Sequence, residues 1–357
     1  MGDGRMNGSQ AGRRLLRLDE IADWRGSPLV LFVGVTTAGS ISHDVFPAWA
    51  ALLGRAWALR GVDLPPDAPP SAYHRLVEAM ASNPLVDGAV VTAHKLRLYR
   101  ACADRFDSVD PAVELTREVN ALATAGPVTA YARDALSLSH VLPGLAGATA
   151  HGVAGHGAVG TDHGAGVSGG AGGARAAARQ GAPLPGDLAV LCLGVGGAAT
   201  ALLVAWRHSP ALAPRSAVFA DVRPAALADL RAVADRAGAD PARLSFARVT
   251  GAADGDALLD ALPRPGLVVN ATGLGKDAAG SPLTDRARFG PDLLAWDLNY
   301  RGDLVFLQQA AACGARLADG WDYFVAGWAG ALTAIAGADP TAEIFAEFAR
   351  AARPRRP

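Results

Sequence analysis

Lys95 ends the stretch VTAHK, where an apolar strand-like run gives way to a helical pattern. Along the helix that follows, Tyr99, Cys102 and Phe106 fall at i+4, i+7 and i+11, so Lys95 begins the apolar face and not the wet one. A cation in a first turn opposes the helix macrodipole, and an acid is the commoner choice there. The dipole and partial desolvation lower an ammonium pKa toward working pH, while a nearby carboxylate raises it again; such opposed influences suit a proton-transfer group. The structural alternative is a lysine snorkelling from the first turn into water. Asp134, in TAYARDA, is the acid that can pair with it, although by itself an acid after a strand is usually a helix cap.

A second constellation lies in LAVLCLGVGGAATALLVAW, where Gly194, Gly196 and Gly197 stand between a strand and a helix. Glycines there let the backbone turn tightly and approach a pyrophosphate, and the helix N-terminus adds unpaired N–H groups. The next strand ends at Asp221, whose carboxylate can accept hydrogen bonds from ribose hydroxyls and would repel a 2′-phosphate; Arg223, two residues on, can instead grip that phosphate. The pattern gives a dinucleotide cofactor, NAD or NADP, with the acid favouring NAD. The alternative for Asp221 is a cap on the following helix.

These residues need elements to carry them. Strand-like runs at 28–35 and 87–93 each precede a helical pattern, and further runs at 188–194, 216–221, 244–249, 266–272, 293–300 and 315–319 alternate with helices. Such alternation predicts parallel strands with crossover helices, an α/β protein with a doubly wound sheet in its second half. The polar, Gly-rich start predicts a disordered tail over residues 1–25, followed by a first domain at 26–140. Residues 141–186 read as a Gly/Ala-rich linker or insertion, and a Rossmann-type domain follows at 187–322. A final helix spans about 323–349. His151, His156 and His163 lie in the glycine tract without a carboxylate cluster or an HExxH helix, so a linker is expected there and no metal site.

Composition narrows the function. The 357 residues are half apolar with a net charge of −1, which argues against a general nucleic-acid or membrane-surface binder. No apolar run approaches the ~20 residues of a spanning helix. Three well-separated cysteines fit a reducing cytosol, and a cytoplasmic protein is expected.

With the glycine loop placed, the chain from about Leu29 to Ala336 resembles the shikimate/quinate dehydrogenase family. GVTTAGSISHDVFPAW resembles its SxS motif, which implies that Ser40 and Ser42 hold a substrate carboxylate. VVTAHK is similar to NVTxPxK one residue short, with Thr92 and Lys95; REVNAL resembles GAVNT and keeps Asn120; TAYARDA aligns with GxNTDG and keeps Asp134. GVGGAA matches GAGGAA, with Gly194, Gly196, Gly197 and Ala198; VVNATGLG matches VNATPLG, with Asn270 and Thr272; DLNYRGD resembles DxxYxPxxT, with Tyr300. The resemblance implies an N-terminal α/β substrate domain, a C-terminal Rossmann domain, a last helix returning to the first domain, and chemistry in the cleft between them. There a hydride would pass between the nicotinamide and a ring secondary alcohol or ketone while Lys95 and Asp134 handle the proton.

The departures fall at substrate contacts. Val90 replaces the motif asparagine, the proline before Lys95 is missing, and Ala132-Arg133 stand for Asn-Thr. Phe46-Pro47 stand for His-Asn, Gly327 aligns with a substrate-binding glutamine, and Lys276 replaces a methionine. A pocket that has lost hydroxyl-reading amides is expected to prefer something other than shikimate, such as a quinate- or aminoshikimate-like ring acid of specialised metabolism. Arg133 either binds an extra carboxylate or phosphate or points to solvent. The expected partner is a small-molecule substrate, and the expected state a monomer or homodimer. The other readings are a non-catalytic ligand-sensing paralogue and a dinucleotide-dependent enzyme of another reaction class on a cyclitol.

Overall fold

The computed structural model describes residues 14–145, 188–276 and 278–357. The histidines of the glycine tract and the first thirteen residues of the expected tail lie outside the described residues.

The first domain is built on a six-stranded sheet of β1 (Leu29–Gly34), β2 (Ala58–Asp63), β3 (Val86–Val91), β4 (Ser108–Val109), β5 (Ala121–Ala123) and β6 (Thr129–Tyr131), in the order β2-β1-β3-β5-β6-β4. β1 is parallel to β2 and β3, whereas β5 runs antiparallel to β3 and β6, so the sheet is mixed. Every residue of β1 is buried, as a strand covered on both faces requires. Its side chains alternate between two cores. Leu29, Leu31 and Val33 meet α1 (Leu18–Ile21), α3 (Pro70–Ser82) and α4 (Lys95–Cys102), while Val30 and Phe32 face α2 (Ser42–Leu52). α1 corrects the expected tail. Ile21 is fully buried and Leu16 N–H donates to Gly61 O at 2.8 Å, so residues 14–25 belong to the domain.

α5 (Pro111–Thr116) ends at Arg117 in the left-handed region, φ 59°. α6 (Asp134–Leu145) then leads out of the first sheet, so 141–145 are its last turns and not linker.

The second sheet is β7 (Ala189–Leu193), β8 (Ser216–Asp221), β9 (Leu244–Arg248), β10 (Gly266–Asn270), β11 (Leu293–Asp297) and β12 (Arg316–Ala318). It is parallel throughout, in the order β12-β11-β10-β7-β8-β9. This is the doubly wound 3-2-1-4-5-6 order, and its crevice opens between β7 and β10 where the winding reverses. α6, α7 (Gly197–His208) and α8 (Pro224–Arg236) cover one face, and α9 (Ala252–Asp260) and α10 (Val305–Ala312) the other.

The chain ends on α11 (Trp321–Ala336) and α12 (Ala342–Ala352), not on one helix over about 323–349. Gly337, at φ +67°, caps α11 in the left-handed region, and Thr341 Oγ1 accepts from Ile344 N–H to start α12. Both helices lie on the first sheet: Trp328, Leu332 and Phe348 share a core with Phe32, Phe46 and Trp49. No helix among the described residues is long and apolar enough to cross a membrane.

Candidate active site

Lys95 stands at the first position of α4, directly after β3 and the turn Thr92–His94. The turn is held by His94, which is fully buried and caught from both sides. Its Nε2–H donates to Leu64 O at 3.1 Å, so its Nδ1 accepts from the Tyr73 hydroxyl at 2.8 Å. Burial lowers the His94 pKa, which keeps the ring neutral in that tautomer. With its direction fixed this way, the Lys95 ammonium forms an ion pair with Asp134 Oδ2 at the start of α6. Asn120, before β5, orients the acid: its Nδ2 donates to Asp134 Oδ1 at 2.8 Å, and its Oδ1 accepts from Arg133 N–H at 2.8 Å. The lysine and aspartate side chains keep only 18% and 13% of their exposure. Burial pulls the Lys95 pKa down, but the carboxylates of Asp134 and Glu118 and the hydrogen bond to Asp134 together raise it above the ordinary lysine value.

Two residues that sequence reading did not single out join this pair. Glu118 follows the left-handed Arg117, and burial, with Asp134 and Asp229 nearby, pushes its carboxyl up to about 7 against the opposing pull of Lys95. Tyr323, in the first turn of α11, is held well above the ordinary phenol value by burial and by the Asp134 and Glu118 charges. Neither is near Lys95 in sequence, and only the return of α11 to the first domain brings Tyr323 there.

One cavity of about 1470 Å³ lies between the domains and is lined by Lys95, Asp134, Asn120, Glu118, Thr92, Ser40, Tyr300 and Tyr323 on the side of the first sheet. Gly196, Gly197, Ala198, Arg223 and Thr272 line it on the side of the second sheet. Its size exceeds that of the ~300–1,000 Å³ pockets that hold small ligands. The glycine loop fits a pyrophosphate. Gly194, at φ +94°, brings the chain so close to Thr272 N that an added Cβ would stand 2.8 Å from it. Beside Gly196 a Cβ would meet nothing within 4 Å, and the first N–H groups of α7 have no carbonyl to bond within the helix.

Other expected site residues sit differently. Ser42 is fully buried and hydrogen-bonded to Ser40, so Ser40 is the member of the pair that lines the cavity. Asn270 is fully buried as well; it donates to Asp297 Oδ2 at 3.0 Å and accepts from Thr272 Oγ1 at 2.6 Å, which makes it a brace for the loop. Arg133 does not line the cavity: Nη2 is 2.9 Å from Asp110 Oδ2 and the guanidinium lies over the Tyr131 ring. Its charge is therefore already answered within the first domain, contrary to both expectations for it.

Asp221 is not a free acceptor. Its oxygens receive Val195 N–H at 2.6 Å, Arg223 N–H at 2.8 Å and two guanidinium N–H groups of Arg223 at 3.0 Å each. Burial would raise its pKa, but these donors outweigh burial and hold it below the usual carboxylate range. Among the described residues no group of three or more His, Cys, Asp or Glu side chains is placed to hold a metal ion.

Neither a protein-family model nor a curated protein matches the sequence. Solved structures do match the fold. A shikimate dehydrogenase in complex with NADP+ superposes with a TM-score of 0.63 at 17% identity, over 93% of this chain and 96% of that one. The quinate dehydrogenase from Corynebacterium glutamicum in complex with NAD gives 0.61 at 16%, over 91% and 99%. The 5-ketofructose reductase of a Gluconobacter species gives 0.59 at 17%, over 92% and 99%. The chain thus has the two-domain α/β fold of the shikimate dehydrogenases.

Proposed function

We propose that the protein is a nicotinamide-dinucleotide-dependent oxidoreductase acting on a secondary alcohol or ketone of a shikimate-, quinate- or aminoshikimate-like ring. The reading rests above all on one observation: the Lys95–Asp134–Asn120 constellation and residues Val195–Ala198 of the glycine loop open into a single cavity. The fold relatives that carry NAD or NADP support it.

When bound, the dinucleotide supplies the hydride acceptor or donor, and Gly196, Gly197, Ala198, Arg223 and Thr272 are the residues that would hold it. Lys95, whose ammonium form is favoured by its carboxylate neighbours, donates a proton to the carbonyl oxygen in reduction and is left as the neutral amine. In oxidation the ammonium first releases a proton to solvent, and the neutral amine then takes the alcohol proton. Asp134 compensates its charge, and Asn120 fixes the direction of Asp134. Positioned acid–base help of this kind is worth ~10²–10⁴-fold.

Substrate recognition is proposed to differ from shikimate itself. Val90 brings an apolar wall to the cavity, and Gly327, whose Cβ would stand 4.0 Å from Asp134 Oδ1, leaves space where an amide side chain would reach a ring hydroxyl. A relative named for reduction of 5-ketofructose supports a wider range of polyol substrates on this fold.

The test is a panel of cyclic hydroxy acids and cyclitols assayed with NAD and NADP by nicotinamide absorbance. Turnover of a ring polyol better than shikimate is expected. Efficient turnover of shikimate would remove the altered-substrate part, and no turnover of any ring alcohol or ketone would remove the whole reading. Lys95→Ala is expected to lose ~10²–10⁴-fold in kcat while still binding dinucleotide.

A further inference from the structure

In the chemistry above the Glu118 carboxylate acts only as a charge that helps raise the Lys95 pKa, yet it occupies a pointed position. It lies on the first residue of α7: a Cβ on Gly197 would stand 2.9 Å from Glu118 Oε2. It lines the cavity together with Gly196, Gly197 and Ala198. Among the described residues no hydrogen bond or ion pair reaches either of its oxygens, although Asn120 and Asp134 two steps away are fully engaged.

The groups facing Glu118 come from four helices: Lys95 from α4, Asp134 from α6, Asp229 from α8 and Tyr323 from α11. Two of these are acids, each already paired: Asp134 with Lys95, and Asp229 with Arg100 of α4. The cations nearby are thus committed to other acids, and an anionic pyrophosphate entering the loop would meet a carboxylate that no cation pairs with directly. Two like charges at such a separation in a cleft cannot both persist at low cost. A neutral carboxyl removes the conflict, since its O–H can donate to a phosphate oxygen.

We infer that Glu118 is a residue of the dinucleotide site, and that it takes up a proton on cofactor binding so that its carboxyl O–H donates to a pyrophosphate oxygen. The step balances simply: one proton passes from solvent to Glu118 and no covalent bond of the cofactor changes. The inference rests on the reading that the loop at Gly194–Ala198 takes a dinucleotide. In the free protein the carboxyl titrates at about 7. Lys95 and Tyr323 are both held above their ordinary values, which leaves them protonated between pH 7 and 9.

Calorimetric titration of the full chain with NAD and with NADP between pH 7 and 9, in buffers of different ionisation enthalpy, tests this. A 2′-phosphate is ionised throughout that window, its second pKa being ≈ 6. Wild type is expected to take up close to one proton per dinucleotide at pH 8, with Kd rising about tenfold per pH unit above 7. Glu118→Gln is expected to abolish the uptake, flatten Kd across the window, and bind more tightly than wild type at pH 9. Normal binding without proton uptake, or an unchanged pH dependence in Glu118→Gln, would overturn this inference alone. Absence of binding by wild type and variant at every pH would overturn the dinucleotide reading and this inference with it.

Discussion

At the scale of single residues, the proposed choice between NAD and NADP turns on Asp221 and Arg223. In the sequence, an acid at the end of the second strand favours NAD. In the structure the same acid receives four donors, three of them from Arg223, whose side chain remains 64% exposed at the cavity. The arginine thus blocks Asp221, and under the proposed dinucleotide reading it is also the cation that would meet a 2′-phosphate. Arg223→Ala is expected to weaken NADP binding about tenfold or more, the worth of a charge-assisted hydrogen bond of ~1.5–3 kcal/mol. It frees Asp221 for ribose hydroxyls, so NAD binding changes little or improves; titration of both dinucleotides reads the difference. A loss that is equal for both would show that Arg223 does not read the phosphate.

Glu118 gives a second residue-scale prediction, in stability. Its folded pKa of about 7 lies above its ordinary 4.5, so the fold disfavours the charged form. The contribution is harmless below pH 4.5, grows as pH rises through 4.5 to 7, and is constant above. Glu118→Gln is therefore expected to stabilise the protein at pH 8 by up to about 3 kcal/mol, discounted for partial hydration in the cleft, and to do nothing at pH 4. Chemical denaturation at the two pH values checks it. Lys95 and Asp134 are legible in sequence because each marks a strand-to-helix joint. Glu118, His94 and Tyr323 are not, because their meaning comes from a left-handed turn, a buried hydrogen-bonded ring and a helix returning from the far end of the chain.

Among the elements, long apolar runs announce themselves and short mixed ones do not. β7, β10 and β11 are buried along their whole length and read as strands directly. β2, with the sequence ALRGVD, carries an arginine and a glycine in the middle, and β5 and β6 have three residues each; these form only because neighbouring strands supply their partners. The break between α11 and α12 is written in Gly337 and Pro340, a cap followed by a residue that cannot continue a helix. How those helices dock depends on Trp49 of α2. It stacks on Phe348 at 5.6 Å and on Trp328 at 5.7 Å, and its Nε1 donates to Phe348 O at 3.1 Å. Trp49→Ala is expected to cost ~3–5 kcal/mol. The loss should concentrate in α12, whose amides would exchange hydrogen faster than those of the second sheet. Uniform acceleration across both domains would argue that α12 docks independently of this residue.

For the whole molecule, the two domains are joined by more than the chain that passes between them. Across the mouth of the cavity Arg100 of α4 places Nη2 3.1 Å from both oxygens of Asp229 on α8. Alongside, Arg236 Nε donates to Leu115 O at 2.9 Å. Both contacts link the first domain to the second, so opening the cleft must break them. The Arg100–Asp229 pair is about half exposed on each side, and exposed pairs typically contribute only ~0–1 kcal/mol to stability. Its consequence is therefore kinetic: a latch of that size changes how often the lips part and hardly changes whether the domains fold. Arg100→Ala is expected to leave the denaturation midpoint nearly unchanged and to speed dinucleotide release several-fold in stopped-flow displacement. Because the pair faces water, added salt should speed release from wild type toward the rate of the variant, while the variant itself responds little. A variant whose release remains as slow and as salt-dependent as that of wild type would place the barrier to opening elsewhere in the cleft.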